Sequence, residues 1–352
     1  MKLRSQKLWL PAVMILVLLL SACGGTSTGS SGNSGGSGGS SSGPISLKIM
    51  VGGLNKQIYL PNELTQQLGF FSQEGLNVTL IDEASGQSSE QEVLAGQVDA
   101  GSGSYNHTIE LQAAGKQMES VVQLGIAPGE AEMVSNKVAS QVQSPADLKG
   151  RNLGVTELGS GTQTLTQILL HKVGVSTDQV HFIPVGAGDT FIAAMQQGRI
   201  DAGMTTEPTI SRVISTGLGK VLVDLRDPNT TQQALGGPYP FICLFMQVDY
   251  VNSHKDVVQK IVNAYVKTLK WMHSHTATEI ADKMPADYYA GDKAAYISAL
   301  QNQLAIFSPD GLMPSGGPEF VLQTEQQTNT TVQGKQINLS TTYTNQFASN
   351  AS

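Results

Sequence analysis

Cysteine and charge are both scarce in this chain of 352 residues. Its two cysteines, Cys23 and Cys243, could form one disulfide bond at most, so the chain is not a small disulfide-stabilised protein. Only 14% of the residues are charged and the net charge is −7, which makes nucleic acid an unexpected partner. The sequence has no His-Glu-x-x-His or Cys-x-x-Cys motif and its six histidines are scattered. We therefore expect no metal site, no cofactor and no catalytic residues.

The N-terminal segment has the pattern of an export signal. Three basic residues precede an apolar run over 8–20, which is too short for the roughly 20 apolar residues that span a bilayer. The sequence LSAC over 20–23 is similar to a bacterial lipobox and implies lipid attachment at Cys23, with an ordinary signal peptide as the alternative. We expect a signal peptide over 1–22, a flexible Gly/Ser tether over 23–45, and a protein anchored by lipid outside the cytoplasm on the bacterial cell membrane.

From Ser46 onward, short β-branched runs alternate with helical stretches. This order predicts α/β lobes with mostly parallel sheets flanked by helices. AGQVDAG over 95–101 returns 102 residues later as QGRIDAG over 197–203, with the same order of predicted strands and helices before each copy. The sequence therefore predicts two similar lobes. In the first copy, we expect the helix before the repeat to begin near Ser89, with Ser89 and Glu92 as a capping pair.

After the second copy the pattern becomes helical. A long helix is predicted from Ser253, and such helices need a surface to cover. Because the first lobe is short by itself, we expect the chain to return to it and to cross twice between the lobes, which makes a two-strand hinge. The predicted organisation is lobe one over 46–127 plus 241–322, lobe two over 128–240, and a polar C-terminal tail over 323–352.

Polar residues follow the predicted strands at positions that would face a cleft. In open α/β sheets, ligands bind outside the carboxyl ends of strands, near helix N-termini. Ser160, Gly161 and Thr162 open a predicted helix and could bind an oxygen-rich group or serve only as its cap. The candidate ligand-binding residues are Asn55, Tyr59, Ser104, Tyr105, Asn106, Ser160, Gly161, Thr162, Asp189, Thr206 and Glu207.

Several of these candidates have a second interpretation. Tyr105 could stack on or hydrogen-bond a ligand, or pack on the surface of its lobe. Glu207 could hold an amine or a ring nitrogen, or complement a helix start. Asp189 is a better candidate for a helix cap than for a ligand contact. His107 lies near the cleft, where a surface role is favoured over general-base chemistry. We expect replacement of Glu207 or Tyr105 by Ala to weaken binding more than replacement of His107.

Together, several segments resemble the SsuA/THI5-like substrate-binding proteins of bacterial ABC importers, a group for nitrate, sulfonates, taurine and thiamine precursors. The resemblance covers about 47–307. It implies a two-lobed periplasmic-binding-protein type II fold that closes on a solute and delivers it to a permease with its ATPase, and a monomer. The most specific segments are YLP over 59–61, LGFFSQEGLNV over 68–78, LAGQVDAG over 94–101, SPADLKGRNLGV over 144–155, and 197–203 leading to Glu207 and Pro208.

The charges of the expected cleft bear on the kind of ligand. Its walls carry Glu130, Glu132, Asp189 and Glu207, with Lys56 the clearest nearby base. A neutral or partly cationic organic molecule therefore fits at least as well as an oxyanion such as nitrate or a sulfonate.

An enzyme of the same fold, acting in pyrimidine-precursor or menaquinone-type biosynthesis, is the alternative to a binding protein. The pyrimidine synthases of that fold carry a cysteine-rich motif, and this chain has no cysteine between Cys23 and Cys243. We expect a binding protein and not an enzyme. An adhesion or scaffold module, a third possibility, would not need the repeated cleft corners.

Overall fold

The structure, a computed structural model, describes residues 43–289 and 291–351. The predicted signal peptide, the lipidated Cys23 and nearly all of the predicted tether lie outside the described residues. Among the helices described, none combines the length and the apolar composition needed to cross a membrane.

In the described part of the chain, ten strands form two five-stranded sheets. The first sheet has the order β2-β1-β3-β10-β4, and the second has the order β7-β6-β8-β5-β9. The strands of the first sheet are β1 (Ile45–Val51), β2 (Leu76–Asp82), β3 (Ala100–Ser104), β4 (Met118–Gln123) and β10 (Ile242–Gln247). Those of the second are β5 (Glu130–Ser135), β6 (Asn152–Val155), β7 (His181–Pro184), β8 (Ala202–Thr206) and β9 (Gly219–Leu225).

The two sheets have the same topology, as the internal repeat predicts. In each, three parallel strands are followed by an antiparallel strand, β10 in the first sheet and β5 in the second, and then by an edge strand antiparallel to it. Asp99 and Asp201 of the repeat have the same structural role in both copies. Each accepts a hydrogen bond from a backbone N–H at the neighbouring parallel strand, that of Lys48 at 2.7 Å and that of Asn152 at 3.0 Å. The two-lobed mixed α/β fold class is confirmed.

Helices cover both sheets. They are α1 (Leu60–Gln67), α2 (Phe70–Gln73), α3 (Gly86–Leu94), α4 (Asn106–Ala113), α5 (Gly161–Lys172), α6 (Asp189–Gln197), α7 (Thr209–Ser215), α8 (Pro228–Leu235), α9 (Val248–Ser253), α10 (Lys255–His273), α11 (Ala277–Ala281), α12 (Lys293–Gln301), α13 (Gly317–Thr328) and α14 (Gln346–Ser349). The long helix α10 buries the apolar positions at helical spacing that the sequence indicates, including Ile261, Tyr265 and Leu269. It packs against α1, α2 and β4, so it covers the first sheet.

Helix α3 begins earlier than the sequence pattern indicated. Its N-cap is Ser85, whose hydroxyl accepts a hydrogen bond from the Ser88 N–H at 3.3 Å. Ser89, expected as the cap, is instead buried inside the helix and donates to the Met50 carbonyl oxygen at 2.6 Å. The prediction of a start at Ser89 was wrong because the burial of this hydroxyl against β1 is a tertiary contact that no local pattern contains.

The chain passes between the sheets at two places. Residues 124–129 lead from β4 of the first sheet into β5 of the second, and 226–241 lead from β9 of the second sheet into β10 of the first. The polar segment over 323–351 also packs on the rest of the chain. Helix α13 lies against both α4 and α5, and α14 lies against α10.

Candidate functional site

A cleft lies between the two sheets and widens into two chambers. The outer chamber has a volume of about 460 Å³. Its lining residues are Gly53, Asn55, Lys56, 82–84, Asp287 and Tyr288 on the side of the first sheet, and 186–189, Pro208, Thr209 and Arg212 on the other. The inner chamber has a volume of only about 20 Å³. Its lining residues are Lys56, Ile58, Tyr59, Ser85, Gly86, Ser104, His107, Glu130, Thr156, Ser160, Gly161, Thr162 and Phe241.

The inner chamber is nearly shut. A volume of about 20 Å³ is little more than the roughly 10–15 Å³ that a single water molecule requires by the same kind of measure. Gly161 lies so close to Phe241 that a Cβ there would come within 2.5 Å of the phenyl ring. The two sheets are therefore in a closed arrangement, and a solute can enter the inner chamber only when they separate.

Hydrogen bonds across the cleft hold this arrangement. The Glu157 carboxylate, after β6, accepts hydrogen bonds from the hydroxyls of Ser85 at 2.5 Å and Ser88 at 2.7 Å, at the start of α3. On another part of the cleft, the backbone N–H of Gln57 donates to the carbonyl oxygen of Glu207 at 3.1 Å. These bonds join residues that follow strands of different sheets.

His107 is a wall of the inner chamber. It is fully buried, and its Nδ1 lies 3.5 Å from a Glu90 carboxylate oxygen and 3.4 Å from one of Glu110. Its Nε2 has no hydrogen-bond partner among the residues that the structure describes. Burial by itself would lower the pKa of His107, but the hydrogen bond to Glu110 and the charges of Glu90 and Glu110 together raise it. The expected surface role of His107 was wrong, because the first turn of α4 faces the closed cleft.

Glu130 forms the opposite wall, at the start of β5. Its carboxyl group is buried, and within the described part of the chain its Oε2 has no hydrogen-bond partner. Burial raises the pKa of Glu130 to about 8, although Lys56 nearby lowers it. Lys56 donates to the carbonyl oxygens of Gly52 and Ala84, both at 2.7 Å. Burial lowers the pKa of this lysine to about 8. We call His107 Nε2 and Glu130 Oε2 the two chamber atoms.

The predicted cap at the start of α5 also reaches the inner chamber. The hydroxyls of Ser160 and Thr162 lie 2.7 Å apart, and the Thr162 hydroxyl accepts from the backbone N–H of Thr156 at 2.9 Å. The Ser160 hydroxyl donates to the Glu157 carbonyl oxygen at 2.6 Å. These bonds fix the loop that carries Glu157. Ser160 stands at the N-cap position of α5, but its side chain makes no capping hydrogen bond to the helix.

The structure brings seven of the eleven candidate residues to the cleft. Asn55 and Asp189 line the outer chamber, where Asp189 is ion-paired with Arg212 at 2.5 Å. The residues at the inner chamber are Tyr59, Ser104, Ser160, Gly161 and Thr162.

Four candidates point elsewhere. Tyr105 is fully buried, and its hydroxyl is 2.6 Å from that of Thr342, on the side of the core. The Asn106 side chain bonds Ser104 and Glu110, and that of Thr206 bonds the Gly129 carbonyl oxygen.

Glu207 is also engaged by the protein itself. Its carboxylate is fully buried, 2.7 Å from the guanidinium of Arg226, and it accepts from the backbone N–H of Ser211 at 3.0 Å. Of its two interpretations, the complement to a helix start agrees with this geometry, because Ser211 lies in the first turn of α7.

Sequence reasoning gave too little weight to His107, Glu130 and Glu157. Glu130 and Glu132 alternate with apolar residues in EAEMVS over 130–135, and period-2 alternation of this kind is usual for a strand with one solvated face. Instead, every residue of β5 is buried, because this strand lies inside its sheet between β8 and β9. Two acidic residues in a strand that the topology places inside a sheet are the signal that could have identified this wall.

Comparisons with known proteins agree with the fold. A protein of known structure from Bordetella bronchiseptica RB50 is 34% identical, with a TM-score of 0.83, over 87% of this chain and 96% of its own. The ligand-binding component of an ABC-type import system from Staphylococcus aureus, solved with zinc bound, is 16% identical, with a TM-score of 0.69, over 88% of this chain and 99% of its own.

A third structure is the alkanesulfonate-binding protein SsuA from Xanthomonas axonopodis pv. citri bound to MOPS. It is 19% identical, with a TM-score of 0.63, over 81% of this chain and 91% of its own. No curated protein sequence matches this chain. The family model described as NMT1/THI5 like matches residues 61–278. The chain therefore belongs to the NMT1/THI5-like family and has the fold of the periplasmic solute-binding proteins of ABC import systems.

Proposed function

We propose that this protein is an extracytoplasmic solute-binding protein, which captures a small polar molecule in the cleft by hinge closure and delivers it to the permease and ATPase of an ABC importer. The observation that carries the proposal is the inner chamber. Both sheets contribute walls to it, and its lining residues include His107 and Glu130, which carry the two chamber atoms, buried polar atoms for which the described residues offer no partner. Buried polar groups in proteins are nearly always hydrogen-bonded, so these two atoms suit a ligand.

The energetics of closure support this use of the chamber. A buried polar atom without a partner costs about 1–3 kcal/mol, and a ligand that pairs with it removes that cost only in the closed form. To move a two-state hinge from mostly open to mostly closed, the ligand must bind the closed form more favourably than the open form by about 5.5 kcal/mol. The free energy gained when a ligand pairs with both His107 and Glu130, and with the surrounding hydroxyls, is of that order.

The two chain crossings fit a hinge. We propose lobe one over 46–127 plus 241–322 and lobe two over 128–240, followed by the polar tail over 323–352, whose described part, 323–351, packs on the rest of the chain. Solute release would then open the cleft about the segments 124–129 and 226–241.

The same proposal places the protein outside the cytoplasm. The signal-like segment over 1–22 and the lipobox-like cysteine support a lipoprotein held by Cys23 at the membrane surface, acting as a monomer beside the permease. The tether over 23–45 would span about 25 Å as a random coil, which leaves the folded body free to approach the permease.

One observation favours an enzyme of the same fold as a second candidate. The Nδ1 of His107 is held by Glu90 and Glu110, its Nε2 has no partner among the described residues, and its side chain lines the inner chamber, which is also the arrangement of a general base or acid. A binding protein and an enzyme differ in what becomes of the solute.

Native mass spectrometry of the purified protein separates these candidates. The protein is mixed with a library of sulfonates, nitrate, amino acids and pyrimidines, and a bound mass is then released by denaturation. The proposal predicts a solute released unchanged after prolonged incubation, and its chemical conversion would establish the enzyme. His107→Gln should weaken binding, whereas the matched variant His254→Gln, at an exposed position away from both chambers, should not.

A further inference from the structure

Glu157 reaches across the cleft to the N-terminus of α3. Its Oε2 accepts hydrogen bonds from the hydroxyls of Ser85 and Ser88. Ser85 is the N-cap of this nine-residue helix, and both Ser85 and Gly86 line the inner chamber. Gln87 lies between Gly86 and Ser88 in the chain. Its side chain packs so closely on Gly159 that a Cβ added to Gly159 would come within 2.3 Å of the Gln87 amide. The loop 157–159 is therefore seated on the first turn of α3.

The first turn of a helix is a favourable place for a negative charge. Its N–H groups lack partners within the helix, and the helix dipole adds a partial positive charge there. A free helix N-terminus in the wall of a chamber would suit an oxyanion such as nitrate or a sulfonate. In the closed form of this chain a carboxylate already lies there, because Glu157 of the loop after β6 accepts from the hydroxyls of Ser85 and Ser88.

The other charged groups of the cleft do not compensate for that carboxylate. The outer chamber presents Asp82, Glu83, Asp189 and Asp287 against Lys56 and Arg212. Arg212 is paired with Asp189, and Lys56 is bonded to two carbonyl oxygens. In the inner chamber, Glu130 Oε2 is a buried acceptor for which the described chain supplies no donor. An entering solute therefore meets more acidic than basic side chains.

We propose that Glu157 is a specificity-determining residue, which occupies the anion position at the N-terminus of α3, beside the inner chamber, so that the site rejects oxyanions and selects a neutral or cationic solute with an N–H donor for Glu130. This inference rests on the proposed function, since it concerns the ligand class of the same site. Glu157 acts in two ways: its hydrogen bonds to Ser85 and Ser88 form only when the cleft closes, and its charge repels an anion at that position.

The test is the anion affinity of Glu157→Gln. The amide keeps the size of the side chain and an oxygen for one serine hydroxyl, but removes the charge. The probes are sodium nitrate and sodium ethanesulfonate, measured by isothermal titration calorimetry and thermal shift against sodium chloride at equal ionic strength. Glu83→Gln is the matched control, because it removes the same charge at the outer chamber without touching α3.

We expect no saturable binding of either anion to the unmodified protein or to Glu83→Gln. Glu157→Gln should bind both anions saturably, with an affinity about tenfold or more above the detection limit of the titration. Saturable anion binding by the unmodified protein would overturn the proposal. So would the absence of a gain in Glu157→Gln, or an equal gain in Glu83→Gln, which would make the effect one of overall charge.

Since Glu157 lies on a half-exposed loop, the circular dichroism spectrum of Glu157→Gln should match that of the unmodified protein. Glu157→Ser provides a second uncharged variant for the same titrations, with the same expected gain. Failure of the proposed function is distinguished by a separate result, the lack of binding of any solute in the library, whatever its charge.

Discussion

Replacing Glu132 by Gln should change how the stability of the protein depends on pH. Glu132 lies in β5 and is fully buried. One carboxylate oxygen accepts a hydrogen bond from the Thr166 hydroxyl at 2.7 Å, and the other has no partner within the described residues. Burial raises the pKa of Glu132 to about 8, although the bond from Thr166 opposes that shift. In the unfolded chain a glutamate titrates near its ordinary pKa of about 4.3.

The sign follows from this difference. Because the pKa is higher in the folded state, the folded protein keeps a proton on Glu132 that the unfolded chain has already released. The stability from this proton is complete below about pH 4 and is lost as the pH rises toward 8. Between pH 5.5 and 7.5 the loss approaches 1.36 kcal/mol per pH unit, or about 2.5 kcal/mol in all.

The assay is urea unfolding followed by far-ultraviolet circular dichroism at pH 5.5 and 7.5. The unmodified protein should lose stability over this range, since burial also raises the pKa of Glu90 and Glu130, to about 7 and about 8. Glu132→Gln should lose about 2 kcal/mol less than the unmodified protein. Asp178→Asn, at an exposed position, should lose as much as the unmodified protein does. If Glu132→Gln and the unmodified protein lost equal amounts, Glu132 would not be a protonated buried acid.

Three further variants test the geometry of the cleft. Gly161→Ala places a Cβ 2.5 Å from the ring of Phe241, so it should favour the open form, detected as a larger radius of gyration by small-angle X-ray scattering in the absence of solute. Glu207→Ala leaves the largely buried Arg226 without one of its two carboxylates and should cost about 3 kcal/mol in urea unfolding at pH 7. Tyr105→Phe removes a core hydrogen bond and should lower the free energy of unfolding by about 1 kcal/mol, while solute binding in native mass spectrometry stays unchanged.

Most of the fold could be predicted from the sequence, because the repeat is local and periodic. The two copies around Asp99 and Asp201 use the aspartate in the same way, to accept a hydrogen bond from the backbone of a neighbouring parallel strand. The order of strands and helices around each copy then determines two sheets of the same topology. The position of α10 over the first sheet was also predictable, because its apolar face needs a partner.

The site was less predictable, since the same residue types serve the core and the ligand. Tyr105 and Glu207 follow strands as cleft residues do, but partners distant in the sequence engage their polar atoms. These are Thr342 for Tyr105 and Arg226, directly after β9, for Glu207. His107 shows the reverse case. Only the three-dimensional arrangement brings Glu90 beside its Nδ1, and burial in the closed cleft is a tertiary property.

The histidine ring resonances in a nitrogen-15 NMR spectrum test the central claim most directly. The protein is labelled at its histidines and titrated with a solute that native mass spectrometry has shown to bind. The account predicts a large shift of the His107 Nε2 resonance, since His107 lines the inner chamber and its unpartnered Nε2 gains a partner when the solute binds, while the resonances of His254 and the other exposed histidines keep their positions. A solute that binds tightly while the His107 resonances stay unchanged would show that the two lobes do not close on it at this chamber.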